Sequence, residues 1–158
     1  VDLYDEKKLA AAADYAAEDV LSEHITLGTA FKFLNAGISG EIKKALLFLS
    51  VADLTPRITV YLYKALPTSV PNDNVASTAV SANDARNWIG QLDFIATETL
   101  GTGGSTSLIT VSTYGNLPLS YLTNEGVLYG IAVTRDAIAG EAVNMTLGIG
   151  MQVRRYSK

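Results

Sequence analysis

The side chains that most often carry catalysis are scarce in this sequence. It contains no cysteine and a single histidine, His24, which excludes a cysteine nucleophile, a disulfide framework, a thiolate metal site and a His-rich metal cluster. A serine hydrolase would have to use His24 as the base that activates a serine. Ser39 lies in Gly37-Ile-Ser39-Gly-Glu, which lacks the second glycine of a nucleophile elbow, and Ser105 follows two glycines in a loop. We therefore expect no catalytic residue and no enzymatic activity.

Acidic and amide side chains are the remaining groups that could do chemistry. Two carboxylates that flank a cleft can hydrolyse glycosides, but most acids of the body lie in predicted turns, where Asp bonds its own backbone. These acids are Asp73, Asp84, Asp93, Glu98, Asp136 and Glu141. The run Asn72-Asp73-Asn74 offers oxygen ligands to Ca²⁺, but adjacent side chains cannot all point inward and the spaced acids of an EF-hand are missing. We expect no metal and no cofactor.

Composition and charge narrow the class of protein and its partners. The 158 residues are 48% hydrophobic and 18% charged, which suits one folded domain, or a domain with an arm. No run of about 18 apolar residues occurs, and no signal-peptide pattern opens the sequence, so we expect no membrane partner. Residues 1–23 hold seven acids and two lysines, a net of −5, and the remainder holds nine acids and ten bases, a net of +1. Nucleic-acid binding needs clustered Lys and Arg, so no nucleic-acid partner is expected either.

The N-terminal segment has the composition of a helix. Between Asp5 and Leu21 there is no Gly or Pro, and alanines, the strongest helix formers, are frequent. We predict a helical, acidic arm at residues 1–23, with His24 interacting with the end of the helix. Its apolar stripe is thin, so it either packs on a large flat surface or a neighbouring subunit, or caps the domain's own sheet. Its candidate contacts are Leu3, Tyr4, Leu9, Tyr15 and Val20.

From residue 25 onward the hydrophobic period changes to two, which is typical of strands with one buried face. The clearest alternation runs from Val143 to Arg154, and Gly148 and Gly150 on its exposed side allow a bend or the close approach of another backbone. Seven or more short strands are predicted, with no helices alternating between them. The other predicted strands are 25–34, 42–50, 58–63, 91–96, 109–112 and 127–134. We predict a mainly β protein, an antiparallel, jelly-roll-like β-sandwich spanning residues 25–158.

A long excursion from Pro67 to Trp88 interrupts the strands. It ends in a predicted short helix that Ser81 would cap. A loop of this length is more often a contact loop than an idle one, so Val70 and Trp88 are candidate subunit or partner contacts. Tyr61 and Tyr63 lie on the face opposite the apolar positions of the strand 58–63, and are predicted either between subunits or on a solvated sheet face.

Several turn and strand motifs in the body occur together in a recognisable order. They are Ile58-Thr-Val-Tyr-Leu-Tyr-Lys-Ala-Leu-Pro67-Thr, Pro71-Asn-Asp-Asn74, Ser81-Ala-Asn-Asp84-Ala, Trp88-Ile-Gly-Gln-Leu-Asp93-Phe, Gly115-Asn-Leu-Pro118-Leu-Ser-Tyr121, Leu128-Tyr-Gly-Ile131 and Thr146-Leu-Gly-Ile149. This ensemble, over about residues 25–153, resembles a group of tailed-bacteriophage virion proteins.

The resemblance implies a β-sandwich decoration, or cement, protein that binds the outside of an assembled phage capsid and stabilises the shell. It implies the major capsid protein as partner, self-association as a homotrimer, a location on the virion surface, and no catalytic residues. Two other functions stay open: a structural component of the tail or the head-tail connector, and a β-sandwich module that binds carbohydrate or a receptor.

Overall fold

Two antiparallel β-sheets face each other across one hydrophobic core. The computed structural model describes residues 1–10, 14–23, 26, 28–113, 116–139 and 145–156. The large sheet contains β1 (Asp2–Lys8), β4 (Ser39–Leu49), β7 (Glu98–Thr99), β8 (Ser105–Thr110), β9 (Leu119–Leu122) and β11 (Thr146–Arg155). The small sheet contains β2 (Val20–Leu21), β3 (Phe31–Phe33), β5 (Ile58–Tyr63), β6 (Trp88–Phe94) and β10 (Leu128–Thr134). The predicted mainly β, antiparallel two-sheet architecture is confirmed.

The strand order follows the connectivity of a jelly roll. The large sheet runs β1-β11-β4-β8-β7, with β9 on the same side of β4 as β8, and the small sheet runs β2-β10-β5-β6, with β3 also on β10. The chain passes repeatedly from one sheet to the other, and the first and last strands end up as neighbours in the large sheet. Such double-sheet folds leave few free strand edges.

The core follows the alternation of the strands. Leu47 and Leu49 of β4 and Ile149 of β11 point inward from the large sheet, and Val60 and Leu62 of β5 meet them from the small sheet; all five are fully buried. Burying a side chain of this size stabilises the fold by about 1.5–3 kcal/mol. The sandwich is therefore a rigid frame that fixes the outward-facing residues.

The predicted N-terminal helix is wrong. Asp2–Lys8 is a strand that pairs with β11, from Asp2 opposite Gln152 to Lys8 opposite Thr146, and Val20–Leu21 is a strand that pairs with β10. Residues 11–13, the middle of the alanine run, lie outside the described residues, as does His24. Helix propensity is a weak prior, and a seven-residue ladder that also buries Leu3 outweighs it.

The predicted internal helix is also absent as such. The segment forms one 3-10 turn at Ala85–Asn87, and its preceding residue, Asp84, makes no side-chain cap bond to it. The Asp84 carboxylate instead accepts hydrogen bonds from the Ser81 hydroxyl and from Thr68 in the preceding loop. Asp84 therefore anchors the loop and does not cap the turn.

Candidate interaction surfaces

A row of exposed apolar side chains crosses the outer side of the large sheet. In register across four strands lie Tyr4 on β1, Gly150 on β11, Leu46 on β4 and Leu108 on β8. The three large side chains are 57%, 41% and 43% exposed, respectively. A shallow hollow of about 290 Å³ lies over Gly150 between Tyr4 and Leu46, and extends to Asp2, Lys44 and Gln152. Outward positions of a half-solvated sheet are normally polar, so this row is a candidate contact surface.

The next row continues the same surface. It contains Glu6, Gly148, the half-buried Phe48 and Thr106. A Cβ atom on Gly148 would lie 2.5 Å from the Tyr4 hydroxyl, so the Tyr4 side chain lies over this glycine. The Tyr4 hydroxyl donates to Glu6 at 2.8 Å, and burial together with the Glu6 carboxylate raises the pKa of Tyr4. We call these two rows the glycine face: Tyr4, Leu46, Phe48, Leu108, Gly148 and Gly150.

A second apolar surface lies at one end of the sandwich, where β4 begins and β9 and β11 end. Leu122 pairs with Ser39, whose carbonyl accepts from the Tyr156 amide, and the Thr123 amide donates to the Ile38 carbonyl. Four exposed apolar side chains belong to the segments that meet at this end, with exposed fractions of 54%, 44%, 62% and 48%. They are Leu34, Ile38, Leu122 and Tyr156, which we call the end patch.

The end patch is bordered by paired charges. The Tyr156 hydroxyl donates to Glu41 at 3.1 Å, and Lys43 forms an ion pair with the same carboxylate at 2.8 Å. The hydrogen bond from Lys43 is the main reason why the pKa of Glu41 is lowered. Arg155 lies against Gly37 and donates to the Asn35 carbonyl. An apolar centre with a charged rim is the usual anatomy of a protein interface.

The outer side of the small sheet is covered by the chain itself. Tyr63, Val20 and Ile131 form a buried cluster on this side, and Val70 and Val80 of the long loop pack on it. Asp84 anchors that loop: its carboxylate accepts from the Thr68 amide and hydroxyl, the Ser69 amide and the Ser81 hydroxyl. The loop therefore shields a sheet face.

The nine contact residues predicted from the sequence fall into three groups. Five are buried in the chain itself and are closed to a partner: Leu3, Leu9, Tyr15, Val20 and Tyr63. Two are partly buried beneath or within the long loop: Tyr61 and Val70. Two are exposed, Tyr4 and Trp88. Tyr63 was predicted on an outer surface, but the loop covers that surface.

Apart from Tyr4, Gly148 and Gly150, the residues of the two surfaces were not singled out from the sequence. The sequence does contain a signal for Leu46 and Phe48. With the exposed Lys44 they occupy the outward positions of β4, and the inward positions between them are also apolar. These inward residues are Ala45, Leu47 and Leu49. Apolar residues on both faces of a strand indicate that both faces are covered. The end patch had no local signal, because strand pairing and turns bring its residues together.

A polar cleft of about 520 Å³ lies at the edge of the small sheet. Its lining includes Glu18, Arg57, Thr59, Asp93, Asn116 and Arg135. Arg135 donates to the Thr59 and Tyr61 hydroxyls at 2.9 and 2.8 Å and pairs with Glu18. Asp93 accepts from Thr59 at 2.7 Å and from Asn116 at 2.8 Å. These groups bind one another and thereby join β5, β6 and β10 to the surrounding loops.

Most of the described candidate acids are engaged in structural contacts. Asp73 is buried and accepts hydrogen bonds from the Tyr15 hydroxyl and the Ser22 amide. Asp136 forms an ion pair with Arg57 at 2.6 Å, and the hydrogen bonds from Arg57 lower the pKa of Asp136. Ser105 is fully buried and Glu98 is exposed on β7. His24 and Glu141 lie outside the described residues.

Two further searches concern the described residues alone. Among them, no three His, Asp or Glu side chains come together as a metal site requires. Nor does this part of the chain contain a helix long and apolar enough to cross a membrane.

Comparison with known proteins gives little guidance. No protein-family model matches the chain, and no curated protein matches it. Among solved structures it is similar to one described as the structure of tomato aspermy virus by X-ray crystallography, with 13% sequence identity and a TM-score of 0.34. That alignment covers 99% of this chain and 78% of the viral chain. A TM-score of this size does not establish a common fold.

Proposed function

We propose that this chain is a non-enzymatic structural protein of a tailed-bacteriophage virion that binds the outer surface of the assembled capsid and stabilises it. Two lines of reasoning support the proposal. The motifs between Ile58 and Ile149 resemble those of virion proteins, and jelly rolls are a frequent architecture of viral capsid domains and of lectins. Fold does not determine function, so the proposal depends on the surface of the protein.

The end patch is the observation that supports the proposal most directly. Leu34, Ile38, Leu122 and Tyr156 are about half exposed, and strand pairing and backbone hydrogen bonds hold most of this surface in place. Apolar contact contributes roughly 25 cal/mol for each Å² removed from water. A pre-organised patch loses little conformational entropy on binding. In this proposal the end patch faces the major capsid protein.

Many weak contacts are sufficient for such a role. A shell that binds the protein at hundreds of equivalent positions gains stability even if each contact has modest affinity, and linkage between copies adds avidity. Self-association as a homotrimer, which the resemblance implies, would supply that linkage. The proposal assigns no catalytic residue. Three of the candidate acids, Asp73, Asp84 and Asp136, bind other parts of the chain.

The test is the number and position of copies in particles purified from the phage that encodes the sequence. About one copy per major capsid subunit, or a fixed simple fraction of it, on the outer surface supports decoration. A few copies at one vertex would contradict it and favour the tail or head-tail alternative. Binding to a glycan array that soluble sugar saturates would favour the carbohydrate- or receptor-binding alternative.

A matched pair of variants tests the end patch. Ile38→Asp combined with Leu122→Asp places two charges in the patch and should reduce occupancy on assembled shells at least tenfold. Leu100→Asp is the control, because Leu100 is 54% exposed but lies beside β8, at the opposite end of the sandwich. Equal occupancy for both proteins would overturn the assignment of this surface.

A further inference from the structure

The large side chains and the glycines of the glycine face are arranged so that two copies of the face can pack against each other. The two large side chains of β4, Leu46 and Phe48, lie beside the two glycines of β11, Gly150 and Gly148, in the same two rows. Gly150 leaves an open hollow beside Leu46, whereas the Tyr4 side chain lies over Gly148. A large side chain and a hollow on neighbouring strands of one row are complementary to their own copy after a half-turn about an axis between the two strands.

We infer that two copies of this chain associate through the glycine face, with a two-fold axis parallel to the strands and between β11 and β4. In this arrangement β4 of one copy lies opposite β11 of the other, and β1 lies opposite β8. Leu46 then enters the hollow over the partner's Gly150. Tyr4, which is on the same row, meets the partner's Leu108. The contact is isologous, so every such pair occurs twice.

The charges of the face agree with this arrangement. Lys44 lies opposite the partner's Gln152, and Glu6 lies opposite the partner's Thr106. Arg154 lies beside Glu41 in the register of β11 and β4, and in the dimer it lies opposite the partner's Glu41. No like charges oppose each other in these described rows. A two-fold axis perpendicular to the strands would instead place Asp2 opposite Glu6, which costs energy.

The size of the face sets the expected strength of the contact. With the neighbouring row on either side of it, the face covers four strands about 4.8 Å apart and four rows about 6.8 Å apart, roughly 19 by 27 Å. The two copies together would bury on the order of 1,000 Å², which is the lower limit of specific interfaces. We therefore expect a dimer whose population depends on protein concentration. The contact cannot lie within a three-fold trimer, so in the proposed homotrimer it would join chains of different trimers.

Complementary variants test the geometry. Gly150→Leu fills the hollow, and the fold tolerates it because a Cβ at this position meets nothing closer than 3.7 Å. Leu46→Ala removes the side chain that fills the hollow. Each variant alone should shift the dimer midpoint, measured by sedimentation velocity, at least tenfold towards higher concentration. Mixing the two should restore association. In the mixed dimer the leucine added in the Gly150→Leu copy faces the shortened side chain of the Leu46→Ala copy, while the second, symmetry-related contact stays native.

The outcomes separate this surface from the rest of the molecule. Leu46→Lys should abolish the dimer, whereas Leu100→Lys should retain it, because Leu100 is 54% exposed, more than the 41% of Leu46, and lies outside the face. A wild-type protein that stays at 16.8 kDa at about 1 mM would overturn the inference, as would a mixture that associates no better than its components. If Leu46→Lys left the solution mass unchanged but prevented shell binding, the face would belong to the capsid contact and the inference would fail. The end-patch variants should not affect the dimer, so the two proposals fail independently.

Discussion

The phenol of Tyr15 donates a hydrogen bond to the carboxylate of Asp73 at 2.9 Å inside the protein, across 58 residues of sequence. The same carboxylate accepts from the Ser22 amide at 2.6 Å, and the neighbouring Asn72 accepts from the Gly28 amide at 3.0 Å. One short run of polar residues thus joins the N-terminal segment to the long loop. The Asn-Asp-Asn run, which resembled a cation site in the sequence, is a structural junction.

Removing the Tyr15 hydroxyl should destabilise this junction. Tyr15→Phe keeps the ring in the core but takes one donor from a buried carboxylate, so the free energy of unfolding should fall by about 1–3 kcal/mol. Urea denaturation followed by circular dichroism measures the change. Tyr156→Phe is the control, because its hydroxyl bonds Glu41 at an exposed site, and should change stability by less than about 1 kcal/mol. Equal effects of the two variants would contradict the role of the junction.

A methyl group at Gly28 should separate the same two segments. A Cβ there would lie 2.1 Å from the Pro71 carbonyl oxygen and 2.3 Å from that of Val70. Since both obstacles are backbone atoms, Gly28→Ala should lower the free energy of unfolding by roughly 2 kcal/mol or more. Gly150→Ala is the matched control, because its nearest atom would be 3.7 Å away. A melting temperature of Gly28→Ala within about 1 °C of that of the control would show that the loops move apart freely.

The alternation of apolar residues predicted the sandwich because burial depends on a pattern that is local along each strand. β5 occupies the predicted residues 58–63, and β11 ends at Arg155, one residue past its predicted end. The N-terminal strand could not be predicted in this way. Its partner, Gln152, lies 150 residues from Asp2, and the local composition favours a helix. Only tertiary pairing decides between the two.

The contact surfaces were less predictable than the fold. Tyr63 occupies an outward position of its strand, but Val70 and Val80 of the long loop pack on the cluster that contains it. No local sequence pattern shows where a loop folds back onto a sheet. Tyr4 was predicted as a contact on a helix and is exposed on a strand. The glycines at 148 and 150 were predicted to allow a bend or the close approach of another backbone. In the structure a side chain, that of Tyr4, lies over the first of them. Residue types were informative, whereas the face they occupy depended on the pairing of strands.

The buried phenol of Tyr63 should make the protein sensitive to alkaline pH. Burial, reinforced by the Asp84 carboxylate, raises the pKa of Tyr63 to about 12 in the fold, from 10.0 for the free side chain. The unfolded chain therefore loses this proton first, and the free energy of unfolding should fall as the pH rises from about 10 to about 12. Denaturation midpoints at about pH 9, 10 and 11 measure this slope. Tyr63→Phe should flatten it, and Tyr156→Phe should not; a slope shared by all three proteins would assign it to other groups.

Acid should release the long loop through Asp84. Burial by itself would raise the pKa of Asp84, but the hydrogen bonds from the Thr68 amide, the Ser81 hydroxyl, the Thr68 hydroxyl and the Ser69 amide outweigh it and lower that pKa below 3.8. A carboxylate whose pKa is lower in the fold stabilises the protein above the unfolded pKa, and this stability disappears as the pH falls through the folded pKa. The free energy of unfolding should therefore fall as the pH drops below about 4.

Asp84→Asn keeps the shape of the side chain but loses the charge and part of the accepting capacity. It should therefore cost about 1–3 kcal/mol of stability at pH 7 and weaken the acid dependence. Glu125→Gln, at an exposed site, makes the same chemical change and should leave both unchanged. Amide hydrogen exchange locates the effect: Thr68 and Ser69 should lose protection in Asp84→Asn, while the strands of the large sheet keep theirs. Loss of protection spread evenly over both sheets would mean that the carboxylate holds the whole sandwich together and not the loop alone.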